Sequence, residues 1–296
     1  MTPTISAVIN TLNEESNIAF ALRSIRPWVD EIVVVDMHSE DTTVDIAQEF
    51  GAKVFLHQRM GFADPARAYA LEQATGDWVL ILDADEVVPP ALSRELTRIA
   101  RDDAADVVEI PRLNHLLGAP MMHTRWGPRQ DTHFRFFKRG CLNTTATVHN
   151  YLHPLPRARV LKLRYQPGLA IVHFNYLDSE QFVDRLNRYT KIEAEQAFAR
   201  GERTTPVGAF IKAGGEFARR YVWAGGWRDG WRGFYLSLFM AFYRLVKAAK
   251  LREMSDFGDR EIVRARYREQ AEQALQGYGE SHRVLVAKTV REIRKE

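Results

Sequence analysis

The sequence predicts an α/β protein with a mostly parallel sheet flanked by helices, followed by a C-terminal helical extension. Two observations predict this class: apolar runs alternate with helical patterns over residues 1–105, and three of these runs end beside polar or acidic side chains. The chain of 296 residues is 46% hydrophobic and 27% charged, which excludes the disordered and collagen-like classes. Its single cysteine, Cys141, excludes an intramolecular disulfide and a cysteine-built metal site.

The first 105 residues predict four strand–helix pairs. Short, continuous apolar runs predict buried strands at 4–9, 31–36, 53–56 and 77–82. Helical patterns follow them at 17–26, 42–50, from 64 onward and at 89–101. Asp64 and Pro65 are typical of the first residues of a helix. Strands that alternate with helices form parallel sheets, because each helix carries the chain back to the same edge.

After residue 105 the pattern changes to strands without helices between them. Strand-like pieces at 106–112, 132–138, 157–164 and 168–174 predict an antiparallel extension of the same sheet. A long helix is predicted from Asp178 or Ser179 to near Gly201. We therefore predict a main domain at 1–176, divided near residue 105, then a helical extension at 177–252 and a charged helical tail at 253–296.

Residues 206–252, which we call the basic aromatic segment, carry nine basic, two acidic and 11 aromatic side chains. This composition favours an anionic membrane surface as partner, and no nucleic-acid-binding motif accompanies it. The longest uncharged stretch, 233–243, has 11 residues, whereas a spanning helix needs about 20. Four glycines within 225–233 predict a break between two helices. The alternative is a helix that covers the main domain or a dimer interface.

The N-terminus predicts no signal peptide, because it has no basic head and reaches acidic residues before any long apolar run. Together with the basic aromatic segment, this predicts a cytoplasmic protein, peripheral at the inner face of the cytoplasmic membrane.

Polar side chains follow three predicted strands at the edge where parallel sheets bind ligands. The first strand is followed by Thr11, Asn13 and Glu14, the second ends in Asp36, and the fourth leads into Asp83 and Asp85. An aspartate after a strand is also a common turn or helix-capping residue. Two carboxylates one residue apart suit a hard cation such as Mg²⁺ or Mn²⁺, which keeps positions open for phosphate oxygens.

The chain has neither the G-x-G-x-x-G fingerprint of dinucleotide enzymes nor the P-loop of nucleotide triphosphatases. This argues against both classes. A nucleotide in this crevice would therefore be held through carboxylates and a metal.

Three motifs resemble the nucleotide-sugar half of family 2 glycosyltransferases with the Rossmann-like GT-A fold. They are VINTLNEE at 8–15, VVVDMHSEDTT at 33–43 and GDWVLILDADE at 76–86. Further runs are similar to the lipopolysaccharide-core β-glucosyltransferase branch: WGPRQD at 126–131, RFFKR at 135–139, HFNY at 173–176 and RY at 188–189. The resemblance makes 1–105 the nucleotide-sugar half and 106–176 the acceptor half.

The resemblance implies a role for each matching position on the donor side. The uracil and ribose would be held by Thr11, Asn13, Glu14 and Asp36. Arg67 would lie near the nucleotide or its phosphates, or else pair with Asp64 or Glu72 on the helix surface. Asp83 would meet the ribose, and Asp85 would bind a divalent metal, Mn²⁺ or Mg²⁺. His173 would lie near metal and diphosphate, or be an ordinary buried histidine.

On the acceptor side, the resemblance makes Asp131 the base that takes the proton of the acceptor hydroxyl, with inversion at the sugar. The alternative is a loop aspartate paired with Arg129 or Arg135. The chain departs from the family at 148–150, where Val-His-Asn replaces the common Val-His-Glu, and an asparagine cannot act as a base.

The sequence therefore predicts a metal-dependent, inverting hexosyltransferase. It would move a hexose from a nucleotide-sugar, with UDP the expected nucleotide, to a lipid-linked or lipopolysaccharide-core glycan. The alternatives are a polyprenyl-phosphate glycosyltransferase and an inert membrane-associated scaffold; a sugar-1-phosphate nucleotidyltransferase lacks its glycine- and arginine-rich first loop here. The donor sugar, the acceptor, the linkage and the oligomeric state have no signal in the sequence.

Overall fold

A computed structural model describes residues 2–59, 64–143 and 152–276. These residues fall within two compact units. The first lies within Met1–Arg185 and Gly214–Ala241, and the second within Leu186–Ala213 and Phe242–Glu296. The domain boundaries drawn from the sequence stay a prediction.

The first unit begins with the four strand–helix pairs that the sequence predicts. The strands are β1 (Ile5–Thr11), β2 (Glu31–Asp36), β3 (Lys53–Leu56) and β4 (Trp78–Asp83), and the helices are α1 (Ile18–Ile25), α2 (Thr43–Glu49), α3 (Asp64–Gln73) and α4 (Pro90–Arg101). All four strands pair in parallel, in the spatial order β3-β2-β1-β4. The carboxyl ends of β1, β2 and β4 therefore meet at one edge.

Further strands continue this sheet beyond β4. They are β5 (Glu86–Val87), β6 (Val107–Leu116), β7 (Ala119–Pro120), β8 (Thr132–Lys138), β11 (Val160–Lys162) and β12 (Ile171–Tyr176), while β9 (Leu142–Asn143) and β10 (His153–Pro154) form a separate pair. The order along the sheet is β3-β2-β1-β4-β8-β6-β12-β5.

The prediction of an antiparallel extension is right for one part and wrong for another. β8 runs antiparallel to both β4 and β6. β11 and β12, however, run parallel to β6. β11 runs opposite to β8, as a chain does after one reversal, but it pairs with β6 and is therefore a parallel neighbour. β12 also pairs with β6. The run lengths in the sequence contain no signal for this choice of neighbouring strand.

Apolar layers cover both faces of the sheet. Ile9, Leu80 and Leu82 face one layer and Val33 and Ile81 the other, because successive side chains of a strand point to opposite faces. Trp78 of β4 stacks on Phe136 of β8 with ring centroids 4.6 Å apart, and both are fully buried. This packing makes the sheet a rigid support for the polar residues at its edge.

Residues 206–256 are helical and interrupted by glycines, as predicted, and 214–241 of them belong to the first unit. Helix α6 (Pro206–Ala218) continues into a π-helical turn (Arg219–Trp223), then a 3₁₀ turn (Gly226–Asp229) and helix α7 (Gly230–Asp256). Gly225 and Gly230 have φ of 73° and 62°, which glycine adopts without strain. A Cβ at Gly233 would lie 1.9 Å from the carbonyl oxygen of Gly226, so only glycine fits there.

The second unit contains the later part of α5 (Ser179–Ala199), parts of α6 and α7, and α8 (Arg260–Ala274). Polar contacts join α5 to α7: Glu193 accepts hydrogen bonds from Tyr243 Oη at 2.6 Å and from Lys247 Nζ at 2.7 Å. Among the helices that the structure describes, none is long and apolar enough to cross a membrane.

Candidate active site

The loops after β1 and β2 interlock at the carboxyl edge of the sheet. Asp36, 1% exposed, accepts hydrogen bonds from Ser39 N at 2.8 Å and Ser39 Oγ at 2.5 Å. Asn13, with a left-handed φ of 55°, donates its backbone N–H to Ser39 Oγ and accepts from Glu40 N, both at 2.8 Å. The structure thus brings together two of the predicted donor-binding residues. Their side chains already hold the loops in place.

The carboxyl end of β1 forms a corner of this edge with a buried polar atom that lacks a partner. Thr11 is 2% exposed, and its Oγ1 has no hydrogen-bond partner within the described ranges. Buried polar groups are normally satisfied by protein or by ordered water. This corner therefore has capacity for a polar ligand or a water.

Asp83, at the end of β4, binds two arginines. Arg67 Nη2 donates to its Oδ1 at 2.9 Å, and Arg135 Nη2 donates to its Oδ2 at 2.7 Å. Burial by itself raises the pKa of Asp83, but the charges of Arg135 and Arg67 outweigh it and hold that pKa well below the usual range. Asp83 is therefore ionised at neutral pH. The pairing with Asp83 places Arg67 at the candidate site.

The same network continues through residues that sequence reasoning missed. Glu86 is fully buried and accepts from Arg135 Nη2 at 3.3 Å and Arg112 Nη1 at 3.4 Å. Its other oxygen accepts from the backbone N–H of Asp83 at 2.9 Å, which closes the turn after β4. Arg112 in turn binds Asp131 through Nε at 2.9 Å. A continuous run of alternating charges thus joins Asp83, on the predicted donor side, to Asp131, on the predicted acceptor side.

Asp131 lies just before β8 with both carboxylate oxygens engaged. Oδ2 accepts from Arg112 Nε at 2.9 Å and Asn114 Nδ2 at 2.7 Å, and Oδ1 lies 2.8 Å from His133 Nε2. Burial raises its pKa, but the contacts with His133 and Arg112 outweigh burial and place the pKa below the usual range. The partner of Asp131 is therefore Arg112, and not Arg129 or Arg135 as the alternative interpretation proposed.

His173 and Asp85 form a pair that fits a divalent metal. His173, 6% exposed, has Nδ1 at 2.6 Å from Asn114 Oδ1, and its Nε2 lies 3.4 Å from Asp85 Oδ2. If Nδ1 carries the proton that Asn114 Oδ1 accepts, the lone pair of Nε2 is directed to the side of Asp85. Two electron-rich groups at this separation suit a cation between them.

Three or more metal-binding side chains do not cluster anywhere in the described part of the chain. A metal held by Asp85 and His173 would therefore complete its coordination with oxygens of a ligand and with water, as Mg²⁺ and Mn²⁺ do at phosphate sites.

Glu14 lies close enough to this pair to respond to its charge. Burial and the negative charge of Asp85 raise the pKa of Glu14, while the side chains of Asn17 and Arg185 lower it, with a net rise. Asn17 Nδ2 donates to Glu14 Oε2 at 2.8 Å. Glu14 and Asp85, two of the predicted site residues, therefore share one electrostatic environment.

Two site residues that the sequence analysis did not identify, Arg112 and Asn114, have a weak signal in the sequence. Arg112 and Asn114 alternate with apolar residues in the second half of β6, so both point to the same face of the sheet. That alternation indicates two polar side chains on one face of the sheet. Glu86 and His133 have no comparable signal in the sequence. The family departure at 148–150 lies outside the described residues.

The loop that leads to Asp131 has a strained backbone. Thr124 and Arg125 have φ of 64° and 63°, a region that costs non-glycine residues about 1–3 kcal/mol each. A Cβ at Gly127 would lie 2.0 Å from the carbonyl oxygen of Met122, so the loop is also tightly folded. Trp126 of this loop stacks on Tyr176 at 5.8 Å between ring centroids.

The glycine-interrupted segment of the same unit clamps this loop. Asp229 accepts hydrogen bonds from Met122 N at 3.2 Å, His123 N at 3.0 Å and Thr124 Oγ1 at 2.7 Å. Arg220, held by Glu216, donates Nη1 to the carbonyl oxygen of Thr124 at 2.9 Å. The carboxylate of Asp229 thus stabilises the strained conformation.

Replacing Asp229 by asparagine should loosen the loop without unfolding the protein. An amide offers one oxygen where the carboxylate offers two, and its NH₂ group faces backbone donors, so about 1–2 kcal/mol of local stability is lost. We expect trypsin to cut after Arg125 or Arg129 about tenfold faster, as measured by mass spectrometry of the fragments. Asp259→Asn, at the cap of α8, is the control. An unchanged cleavage rate in the Asp229 variant would show that the clamp is unimportant.

Comparison with known proteins connects this site to a family. Residues 6–152 match the family model described as Glycosyl transferase family 2. The chain is 30% identical over 265 residues to the uncharacterized glycosyltransferase RT0209 of Rickettsia typhi, covering 85% of this chain and 87% of the relative. It is 28% identical over 284 residues to the uncharacterized glycosyltransferase RC0292 of Rickettsia conorii, covering 91% and 96%.

A third relative has a more specific description. The lipopolysaccharide core biosynthesis glycosyltransferase LpsC of Rhizobium meliloti is 27% identical over 254 residues, covering 83% of this chain and 91% of the relative. Among solved structures, glucosyl-3-phosphoglycerate synthase from Mycobacterium tuberculosis, in complex with Mn²⁺ and UDP-glucose, is 28% identical. That match covers 38% of this chain and 44% of that chain at a TM-score of 0.33, too low to bear on the site.

The family model covers the parallel half of the sheet and the candidate site residues from Thr11 to Asp131, and RT0209 aligns with most of this chain. The architecture is the GT-A fold, with a mostly parallel, Rossmann-like sheet flanked by helices and further helices after it. The chain belongs to glycosyl transferase family 2.

Proposed function

We propose that the protein transfers a hexose from a UDP-sugar to a glycan acceptor with inversion at the anomeric carbon. The observation that carries this proposal is the arrangement at the carboxyl edge, where Asp85 lies 3.4 Å from His173 Nε2. Next to this pair, Asp36 and Asp83 lie at the ends of β2 and β4. Carboxylates at this edge are the groups that bind a ribose and a metal-diphosphate.

On the donor side, Thr11, Asn13, Glu14 and Asp36 would contact uracil and ribose, with Arg67 and Asp83 beside them. The buried, unpartnered hydroxyl of Thr11 supports a polar ligand at this corner. Asp85 and His173 would hold Mn²⁺ or Mg²⁺, which would neutralise charge on the diphosphate.

The acceptor oxygen would attack the anomeric carbon while the bond from that carbon to the diphosphate oxygen breaks, and its proton would pass to Asp131. UDP would leave with the electron pair of the broken bond. Because Asp131 is ionised at neutral pH, it can accept a proton. Because its pKa is low, it is a weak base, and its contribution to the rate should be modest.

For the acceptor, we propose a lipid-linked or lipopolysaccharide-core glycan at the inner face of the cytoplasmic membrane. The similarity to LpsC supports this class of acceptor. Exposed aromatic side chains support a membrane surface: Trp223, Trp227 and Trp231 are 77%, 56% and 55% exposed. The guanidinium groups of Arg228 and Arg232 lie over Trp227 and Trp231, at 4.9 Å and 4.5 Å, which suits anionic headgroups.

A second candidate is a polyprenyl-phosphate glycosyltransferase. The engagement of both oxygens of Asp131 favours it, because a phosphate acceptor is already ionised and needs no base. Replacing Asp131 by asparagine separates the two candidate functions, because only a hydroxyl acceptor needs a base.

Calorimetric titration of UDP and GDP, with and without Mn²⁺, tests the donor proposal. We expect UDP to bind in the presence of Mn²⁺, and Asp85→Asn to weaken that binding at least tenfold because an amide is a poor metal ligand. Asp102→Asn is the matched control, since this exposed aspartate only pairs with surface arginines. Failure of wild type to bind UDP with any divalent metal would refute the assignment and favour the inert scaffold.

A further inference from the structure

One arginine of helix α5 lies beside Asp85 and His173, the two residues that would hold a metal. The Nη1 atom of Arg185 donates to Asn175 Oδ1 at 3.3 Å, and its guanidinium carbon lies 5.0 Å from the ring centroid of Tyr176. Arg185 is partly exposed, so its remaining N–H groups can reach a ligand. Asn175 and Tyr176 are the last two residues of β12 and hold the guanidinium at the end of that strand.

The same strand carries the residues next to Asp85. His173, two residues before Asn175, approaches Asp85 Oδ2 to 3.4 Å, and the backbone N–H of Phe174 donates to the carbonyl oxygen of Asp85 at 3.0 Å. The positive charge of Arg185 also reaches Glu14, on which Asp85 acts with the opposite sign. Arg185, Asp85 and Glu14 therefore border the same space.

Arg185 differs from the other arginines of the site in its pairing. Arg67, Arg112 and Arg135 each form an ion pair with a carboxylate. Within 2–59, 64–143 and 152–276, Arg185 has no carboxylate within ion-pair distance, and it contacts the amide of Asn175 and the ring of Tyr176. A guanidinium so placed keeps its charge and most of its five donors for an anion.

We propose that Arg185 binds the terminal phosphate of the donor diphosphate and stabilises UDP as the leaving group. This inference rests on the proposed UDP-sugar donor and deepens it. As the bond between the anomeric carbon and the phosphate oxygen breaks, the electron pair goes to that oxygen. A fixed guanidinium beside Asp85 and His173 would stabilise the negative charge that develops on that oxygen. Asn175 and Tyr176 are positioning residues for Arg185.

The test compares ligands that differ by one phosphate. UDP, UMP and inorganic pyrophosphate are each titrated, with Mn²⁺, into wild type, Arg185→Ala and Arg185→Lys. We expect Arg185→Ala to weaken UDP and pyrophosphate binding about ten- to hundredfold and to leave UMP within about twofold, because hydrogen bonds between charged groups are strong. Arg185→Lys should retain part of the affinity as a single point charge.

Arg188→Ala is the matched control, since Arg188 lies one turn further along α5 and stacks on Tyr189. Its affinities should equal those of wild type. Equal losses of UDP and UMP affinity in Arg185→Ala, or no loss of either, would overturn the proposal. If wild type binds pyrophosphate but not UDP, the proposal of a uridine-containing donor is wrong. The pyrophosphate affinity of Arg185→Ala then still shows whether Arg185 binds phosphate. If wild type binds neither, both proposals fail. Thermal unfolding of each variant shows whether α5 remains folded.

Discussion

Replacing Arg135 by methionine is expected to destabilise the protein by about 3–5 kcal/mol, the usual result of removing one partner of a buried ion pair. Arg135 is 5% exposed and contacts two carboxylates, Asp83 at 2.7 Å and Glu86 at 3.3 Å. Methionine fills much of the volume of the arginine side chain. The fully buried Glu86 then keeps one arginine contact, with Arg112 Nη1 at 3.4 Å. The dominant cost is therefore the charge left in the interior.

Chemical denaturation at pH 7 measures this loss, and the pH dependence provides an internal check. The pKa of Asp83 is held below its unfolded value, so its pairing stabilises the fold above about pH 4 and this contribution is lost as the pH falls. The difference between wild type and variant should therefore shrink in acid. Arg101→Met is the control, because Arg101 is mostly exposed and its pair with Asp102 contributes little. Similar losses in the two variants would contradict a special role for the buried network.

Replacing Asp131 by asparagine is expected to lower transfer to a hydroxyl acceptor about a hundredfold, the lower end of the range for acid–base catalysis. The reason for the lower end is the weak basicity of a carboxylate that already binds Arg112, Asn114 and His133. UDP affinity should change little, because the proposed role of Asp131 is on the acceptor side of the network.

The assay follows radiolabelled sugar, from whichever UDP-sugar the titrations select, into membrane lipid and lipopolysaccharide fractions. Thermal unfolding accompanies it, since asparagine brings an NH₂ group close to Arg112. Asp106→Asn is the control for a carboxylate of similar pairing away from the site, because Asp106 binds Lys138 and Arg159. If the Asp131 variant keeps most of its activity, the acceptor is a phosphate and the polyprenyl-phosphate alternative is right.

Much of the fold could be read from local sequence patterns. The run EIVVVD predicted β2 with its terminal carboxylate, and DWVLIL followed by Asp83 and Asp85 predicted the end of β4. Such patterns work because burial on both faces of a parallel strand demands a continuous apolar run. The glycines at 225–233 likewise predicted the break before α7, since they remove helical stability locally.

Contacts between residues far apart in sequence were beyond those patterns. The pairing of Arg135 with Glu86 spans 49 positions, that of His173 with Asn114 spans 59, and that of Asp229 with His123 spans 106. No local period reports which arginine meets which carboxylate. The parallel direction of β12 is a similar case, because it depends on the path of the chain after β8.

By itself, the sequence determined the strand–helix order, the polar residues at three strand ends and the family, because each depends on neighbouring residues or short motifs. How these residues act together follows from their contacts in the folded chain. The fold engages both oxygens of Asp131, places Asp85 against His173, and leaves Arg185 without a carboxylate partner among the described residues. The physical reason is that charge pairing and burial are properties of three-dimensional proximity, which long-range packing of the sheet and helices sets.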